Sequence, residues 1–396
     1  MTTNIALNPQ DIIDEETHAQ LGTYAKLPLV AVRGEGIMLY SAEGKAYYDF
    51  YSGHAVTLTG HCHPRVVAAI QEQAAKLIFY SNIVYNDVRA EYTEKLIEAA
   101  PEGFGQVFLC NSGAEANETA LKLSRKFTHR PTIVALEGAF HGRTMGALAM
   151  TYNSKYRDGF GPMMPGVEFA PYGDLDGLSA MMNDQVAALI VEPIQSIAGV
   201  RMMPAEYYRG LRELCDKWGA LLIFDEIQTG LGRTGTMWVG EHWGVTPDII
   251  TLAKGIASGV PMGATLISSR IAETVKLDEH GSTFGGGPLA CAAALATLNL
   301  IVDEDMPAHA NAMGAILKEK LGKLPHVLEV RGMGLLLGLR LDKPAKDIHM
   351  EVFNRGVIVG TSADPNVLRV MPPMVVTPAD IDHLVAVLAD VLGINE

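Results

Sequence analysis

Ala220-Leu221-Leu222-Ile223-Phe224-Asp225 is an unbroken apolar run that ends in an aspartate. The same form recurs on either side, in Val186 to Val191 followed by Glu192 and in Ile249 to Ala253 followed by Lys254. Short apolar runs bounded by Gly, Pro or Asp and separated by helix-length mixed segments are what strands buried on both faces of a sheet look like. Gln106 to Leu109, Thr132 to Leu136 and Ala264 to Ile267 extend the series, so residues 106 to 270 predict an α/β fold with a largely parallel sheet. In such open sheets ligands bind outside the carboxyl ends of the strands. Glu192, Asp225 and Lys254 stand at three such ends and are expected to converge on one crevice. The competing reading has each side chain merely capping its strand in solvent, which is harder to sustain for three than for one.

After about residue 275 the texture changes. Leu289 to Val302 reads as a buried, Ala-rich helix and Ala310 to Leu321 as an amphipathic one, with strands expected at Gly334 to Leu341, Val357 to Val359 and Val367 to Val370. Thr377-Pro378-Ala379-Asp380 opens a last helix, with a capping Thr, Pro at the first helical position and an acid near the positive end of the dipole. The first residues form an arm with a hairpin from Ala31 to Phe50, turning near Glu43-Gly44. The expected division is an arm (1–50) packed with a small α+β domain (276–396), and a large domain (51–275) between them.

The 396 residues are 48% apolar and 19% charged, which excludes a collagenous or disordered chain. Lys and Arg total 31 against 45 Asp and Glu, for a net charge of −14, and the cations are scattered. A nucleic-acid partner is not expected, because binding polyanions needs clustered cations. No signal or transit peptide is visible, and Leu289 to Val302 is too short to span a bilayer, so no membrane association is expected. Cys62, Cys110, Cys215 and Cys291 lie far apart without a paired motif, which fits a reducing cytoplasm.

Asn111-Ser112-Gly113-Ala114-Glu115 follows a strand and precedes a helical pattern. Small residues opening a helix expose backbone N–H groups at the positive end of the dipole, a ready phosphate site, although Ser-Gly there is also a common N-cap. Lys254, reached directly from a buried strand near an aspartate and a phosphate cradle, makes sense as an amine nucleophile that forms a Schiff base. Pyridoxal 5′-phosphate unites these parts: its aldehyde takes Lys254, its phosphate the helix start, and Asp225 keeps the pyridine nitrogen protonated.

Asn111 to Glu118, Phe140-His141-Gly142-Arg143-Thr144, Glu192-Pro193, Asp225 to Gly230, Lys254-Gly255, His280 to Gly286 and Gly60 to Pro64 together resemble the class III pyridoxal-phosphate aminotransferases, in family order over nearly the whole chain. The ornithine and acetylornithine branch is the nearest. The resemblance implies a fold-type I transferase, a homodimer with shared active sites, and transamination between an amino donor and a 2-oxo acid. It implies that Lys254 and Asp225 are catalytic, that Ser112, Gly113 and Ala114 hold the phosphate with Thr283 of the other subunit, and that Phe140 and Ile227 flank the ring. Gln228 would neighbour the ring hydroxyl, with His141 and Glu192 also around the cofactor. Arg369 would bind the substrate α-carboxylate, with Arg143 and His54 as further substrate contacts.

The expected donor is an N-acylated ornithine or a related ω-amino compound, with 2-oxoglutarate as acceptor; the alternative is an ω-amino acid or diamine transaminase using pyruvate. The chain departs from the branch at Gln195-Ser196-Ile197, where Ile197 replaces a Glu that can pair with the carboxylate-binding arginine, at His54 and at Gly287. Gly230-Leu231-Gly232-Arg233-Thr234-Gly235 invites a nicotinamide oxidoreductase, but it neither follows its strand at once nor opens an apolar helix. His61 and His63 are expected in a packed turn rather than on a metal, and Met163, Met164, Met202 and Met203 as adaptable packing. A non-catalytic binding protein is disfavoured by Lys254 and Asp225 together.

Overall fold

The computed structural model describes residues 8–393, so residues 1–7 of the expected arm and 394–396 of the expected small domain lie outside it. The strands β1 (Ala31–Glu35), β2 (Met38–Ser41) and β3 (Ala46–Asp49) form an antiparallel meander. The single hairpin expected from Ala31 to Phe50 is therefore two. Gly36, at φ +56°, makes the additional turn in a conformation that favours glycine, and its amide donates to the His61 carbonyl.

A seven-stranded sheet holds β4 (Phe104–Cys110), β5 (Thr132–Leu136), β6 (Val167–Ala170), β7 (Val186–Val191), β8 (Leu221–Asp225), β9 (Ile249–Leu252) and β10 (Gly263–Ser268). Their order is β4-β10-β9-β8-β7-β5-β6, and only β10 runs antiparallel to its neighbours. Every expected run falls on a strand, with Ala220 just before β8 and Ala253 just after β9. The sequence pattern missed β6, because this short edge strand alternates and exposes Glu168. Central strands are dry on both faces: Leu189, Ile190, Leu222, Ile223, Phe224, Ile249 and Ile250 have no exposed surface. Burial of each such side chain stabilises the fold by roughly 1.5–3 kcal/mol.

A further sheet contains β11 (Val327–Met333) and β12 (Leu336–Leu341), while β13 (Val357–Ile358) leaves it to pair in parallel with β3 of the arm. With β14 (Gly360–Thr361) and β15 (Val367–Val370), its order is β11-β12-β15-β14. The half-exposed β11 was missed, and Gly334, expected to begin a strand, turns between β11 and β12 at φ +51°. The expected helices are present as Pro288–Asp303, Met306–Leu321 and Pro378–Leu392. At the last, the Thr377 hydroxyl accepts from the Asp380 amide at 3.3 Å while the Asp380 carboxylate accepts from the Thr377 amide at 2.8 Å. Among the described residues no helix is long and apolar enough to cross a membrane.

Candidate active site

Glu192, Asp225 and Lys254 leave the carboxyl ends of β7, β8 and β9 and line one cavity of about 360 Å³. Asn111, Ser112, Gly113, Ala114, Phe140, His141, Ile227 and Gln228 complete most of its wall. The sheet brings ten of the expected cofactor residues to one place, and the reading in which three ionisable groups separately meet solvent is excluded.

Lys254 begins a short 3₁₀ turn, Lys254–Ala257, and sits at φ +47°, a left-handed conformation that costs a non-glycine residue about 1 kcal/mol or more. Its amine has no hydrogen-bond or ion-pair partner among the described residues. Burial pulls its pKa from 10.5 down to about 8; the charges of Asp225 and Glu192 oppose that shift and the charge of Arg369 adds to it.

Asp225 is locked from three sides. Its Oδ2 accepts from Asn117 Nδ2 and from His141 Nδ1, both at 2.8 Å, and its Oδ1 from the Ile227 amide at 3.2 Å. Asn117 also donates to the His141 carbonyl at 2.7 Å and accepts from the Thr251 hydroxyl at 2.8 Å. Asn117 and Thr251 were not singled out from the sequence, yet each carried a signal. Asn117 lies one helical turn beyond Gly113, and Thr251 is the one hydroxyl in an otherwise apolar run. Glu192 accepts from the Phe140 amide at 2.7 Å, and burial followed by the charge of Asp225 pushes its pKa up.

Also on the cavity wall, the Ser112 hydroxyl accepts from the Glu115 amide at 3.2 Å, so its side chain caps the Gly113–Thr128 helix. The first amides of that helix remain the anion-binding feature. A Cβ on Gly113 would lie 2.5 Å from Ile227 Cδ1, so a larger residue there would push the Ile227 side chain aside.

Four expected residues lie outside this wall. Thr283 is exposed, next to Ser282, whose hydroxyl accepts from Asn111 Nδ2 at 3.2 Å. Arg143 is exposed, its guanidinium 5.2 Å from the Tyr156 ring and 5.9 Å from that of Phe140. Arg369 is buried and donates to the Thr361 carbonyl (2.7 Å), the Ser196 hydroxyl (3.2 Å) and the Tyr51 phenol (2.5 Å). No carboxylate pairs with it among the described residues. His54 reaches Arg369 only through Tyr51, whose oxygen is 2.5 Å from His54 Nδ1. Tyr51 and Ser196 were missed, because each acts through a residue far away in sequence.

The motifs set aside have structural employment. His61 pairs with Asp49 at 2.8 Å, and His63 Nδ1 accepts from the Arg65 amide at the start of the Pro64–Lys76 helix. Arg233, within the glycine motif, is fully buried and donates to the carbonyls of Leu335 and Pro372.

The cavity suits pyridoxal phosphate on its own evidence. Among the described residues Gln228 Oε1 is buried without a partner and the Lys254 amine is unpaired, and the same cavity is lined by a fixed carboxylate, Asp225, and by the start of the Gly113–Thr128 helix.

The profile of the family described as Aminotransferase class-III matches residues 21–392. The acetylornithine aminotransferase of Methanopyrus kandleri is 45% identical over 389 residues, 98% of this chain and 99% of that one. The [LysW]-aminoadipate semialdehyde transaminase of Deinococcus radiodurans is 42% identical, over 98% of this chain and 91% of that one. Among solved structures, the ornithine aminotransferase of Toxoplasma gondii superposes with a TM-score of 0.93 at 33% identity, covering 98% of this chain and 95% of that one.

Proposed function

The chain belongs to the class III aminotransferases, enzymes that depend on pyridoxal 5′-phosphate, and we propose that it moves the amino group of an N-acylated ornithine or a related ω-amino compound to 2-oxoglutarate. The observation that carries the site assignment is the buried, unpaired Lys254 amine, held near neutrality in the same cavity as Asp225. Bound there, the cofactor supplies an electron sink for the substrate carbon. In this reading Lys254 would hold the cofactor covalently, and its amine, with a pKa brought down to about 8, would carry a proton to and from the reacting substrate carbon. Asp225, fixed by Asn117 and His141, would pair with the pyridine nitrogen. The amides of Ser112, Gly113 and Ala114 would hold the phosphate, Gln228 the ring hydroxyl, and Phe140 and Ile227 the ring, with Glu192 supporting Phe140. Arg369 takes a substrate carboxylate, with Arg143 and His54 near the rest of the substrate. The donor class is supported by the names of the relatives.

A homodimer with shared sites belongs to the same proposal. Ile78, Tyr80, Ile83 and Tyr85 are exposed in one segment, and Phe79 packs 5.0 Å from Phe284, beside the exposed Thr283. Such a patch next to an incomplete phosphate site suits a second copy that lends its Thr283. The β3–β13 pair supports grouping the 1–50 arm with the 276–396 domain, apart from the 51–275 cofactor domain. Four unpaired cysteines support a cytoplasmic location.

Lys254→Ala tests the assignment: turnover should vanish while the circular dichroism of the native fold remains. The wild type should be yellow, and borohydride should fix the cofactor on Lys254. A colourless protein that takes up no added cofactor would remove the reading.

A further inference from the structure

The chain around Tyr51 adopts a conformation that few sequences choose. Ser52, Gly53, His54 and Ala55 have φ of 50°, 55°, 74° and 61°, four left-handed residues in a row, three of them with side chains. Each costs an L residue free energy, and such strain persists only where the surroundings over-determine it. Asp49, almost fully buried, supplies that determination. Its Oδ1 accepts from the Tyr51 amide at 2.9 Å and its Oδ2 from the Gly53 amide at 3.0 Å, with His61 Nε2 on Oδ2 at 2.8 Å. From the other side the Ser52 hydroxyl donates to the Met371 carbonyl at 2.6 Å.

The strained turn delivers Tyr51 to Arg369. A Cβ at position 360 would lie 2.1 Å from Tyr51 Cε2, so Gly360 is the residue that leaves room for the ring. The hydrogens can then be assigned by elimination. Arg369 can only donate, so the Tyr51 oxygen accepts from Nη2, and among the described residues its own hydrogen has one acceptor within reach, His54 Nδ1. His54 is therefore neutral, with its hydrogen on Nε2. Burial, reinforced by the charges of Arg369, Lys254 and Arg143, pushes its pKa down to about 3, in keeping with that assignment. Of the five N–H groups of Arg369, three go to neutral acceptors, and one on each terminal nitrogen remains. Those two donors are left for the oxygens of a carboxylate.

We propose that Tyr51 is a specificity-determining residue: its phenol, fixed by His54, is the neutral partner of Arg369 in place of a counter-carboxylate, and keeps the guanidinium aimed and uncompensated for carboxylate-bearing substrates in both half-reactions. The inference rests on the assignment of Arg369 as the carboxylate contact. A charged partner would have to leave whenever a carboxylate arrived. A phenol need not, since the two remaining donors suffice.

The test uses the holoenzyme, with 2-oxoglutarate as acceptor and, as donors, N-acetylornithine and a diamine without a carboxylate. Tyr51→Phe keeps the ring and removes the hydrogen bonds. It should raise KM for 2-oxoglutarate roughly tenfold or more, as expected for a lost hydrogen bond to a charged group, while the half-reaction rate with the diamine stays unchanged. Arg369→Gln separates the two layers. If it leaves the 2-oxoglutarate KM unchanged, the Arg369 assignment fails and the Tyr51 inference with it. If it raises KM while Tyr51→Phe does not, or if Tyr51→Phe slows both substrate classes equally, the Tyr51 inference alone is overturned. A measurement on the wild type needs no variant to fold: ¹⁵N-histidine spectra should show His54 neutral, with hydrogen on Nε2, from pH 5 to 8. A protonated ring, or hydrogen on Nδ1, would overturn the inference.

Discussion

In the cofactor-free protein, the Lys254 amine should titrate near pH 8, far below an ordinary lysine. Burial lowers its pKa from 10.5 to about 8 against the pull of Asp225 and Glu192, so desolvation outweighs two carboxylates. At about 1.4 kcal/mol per unit, the net disfavour of the ammonium is about 3 kcal/mol. At pH 7.5 roughly one molecule in four then carries the neutral, nucleophilic amine, against about one in a thousand for an unperturbed lysine. Pulse acylation over a range of pH, with mass spectrometry of the Lys254 peptide normalised to that of the exposed Lys323, measures the midpoint directly. Asp225→Asn sharpens the test because it removes the charge that favours the ammonium most: the midpoint should move further down. It sacrifices only the Ile227 amide contact if the new carbonyl takes the place of Oδ2. A wild-type midpoint above about 9.5, or an upward move in the variant, would refute the claim that desolvation wins.

Glu226 is buried, with one carboxylate oxygen unpartnered, and burial raises its pKa to about 8. The folded value exceeds the unfolded one, so its contribution to stability is complete below about pH 4.5 and is lost as pH rises to 8; Glu226→Gln should flatten the wild-type fall in unfolding free energy, read from urea titrations between pH 5 and 8.5, by about 2 kcal/mol or more, and an unchanged slope would count against it. Asn117→Ala removes one of the two side-chain donors that fix Asp225 and strands the Thr251 hydroxyl, and should lower kcat roughly tenfold and weaken cofactor retention. Normal values for both would show that His141 alone positions Asp225. Ile197→Glu should shift the ratio of kcat/KM values toward terminal-amine donors, because a new acid beside Ser196 would neutralise Arg369; an unchanged ratio in a folded, cofactor-loaded variant would mean that the new carboxylate does not reach the guanidinium. Thr283→Ala should weaken cofactor binding and be rescued in mixed dimers with one wild-type Thr283, as absorbance of the reconstituted mixture would reveal; no rescue would argue against the shared site.

What could be read from the sequence divides along physical lines. Strands such as Val186–Val191 and Ile249–Leu252 are dry on both faces and announce themselves as apolar runs, whereas β6 and β11 carry Glu168, Glu329 and Arg331 on wet faces and hide among loops. Lys254, Asp225 and Glu192 were legible because each terminates a buried run, which fixes its place in an α/β sheet without further knowledge. Tyr51 was not. Its role depends on a left-handed turn built mostly from residues that avoid that conformation, and on an arginine 318 positions away. Local patterns record preferences, and a site held in defiance of preference leaves no local mark.

The reversed direction of β10 has a geometrical consequence. It pairs with β9 on one side and β4 on the other, and its first residue, Gly263, lies opposite Cys110. One end of β10 therefore adjoins both Ala253 to Met262, the loop that carries Lys254, and Asn111 to Ala114, where the phosphate end would lie. A Cβ on Gly263 would come within 2.4 Å of the Ser112 carbonyl, which shows how tightly the two loops are gathered at that point. The strand acts as a gauge: its register sets the span between Lys254 and the start of the Gly113–Thr128 helix. A slip of one residue would change that span by about 3.4 Å and turn every β10 side chain to the opposite face.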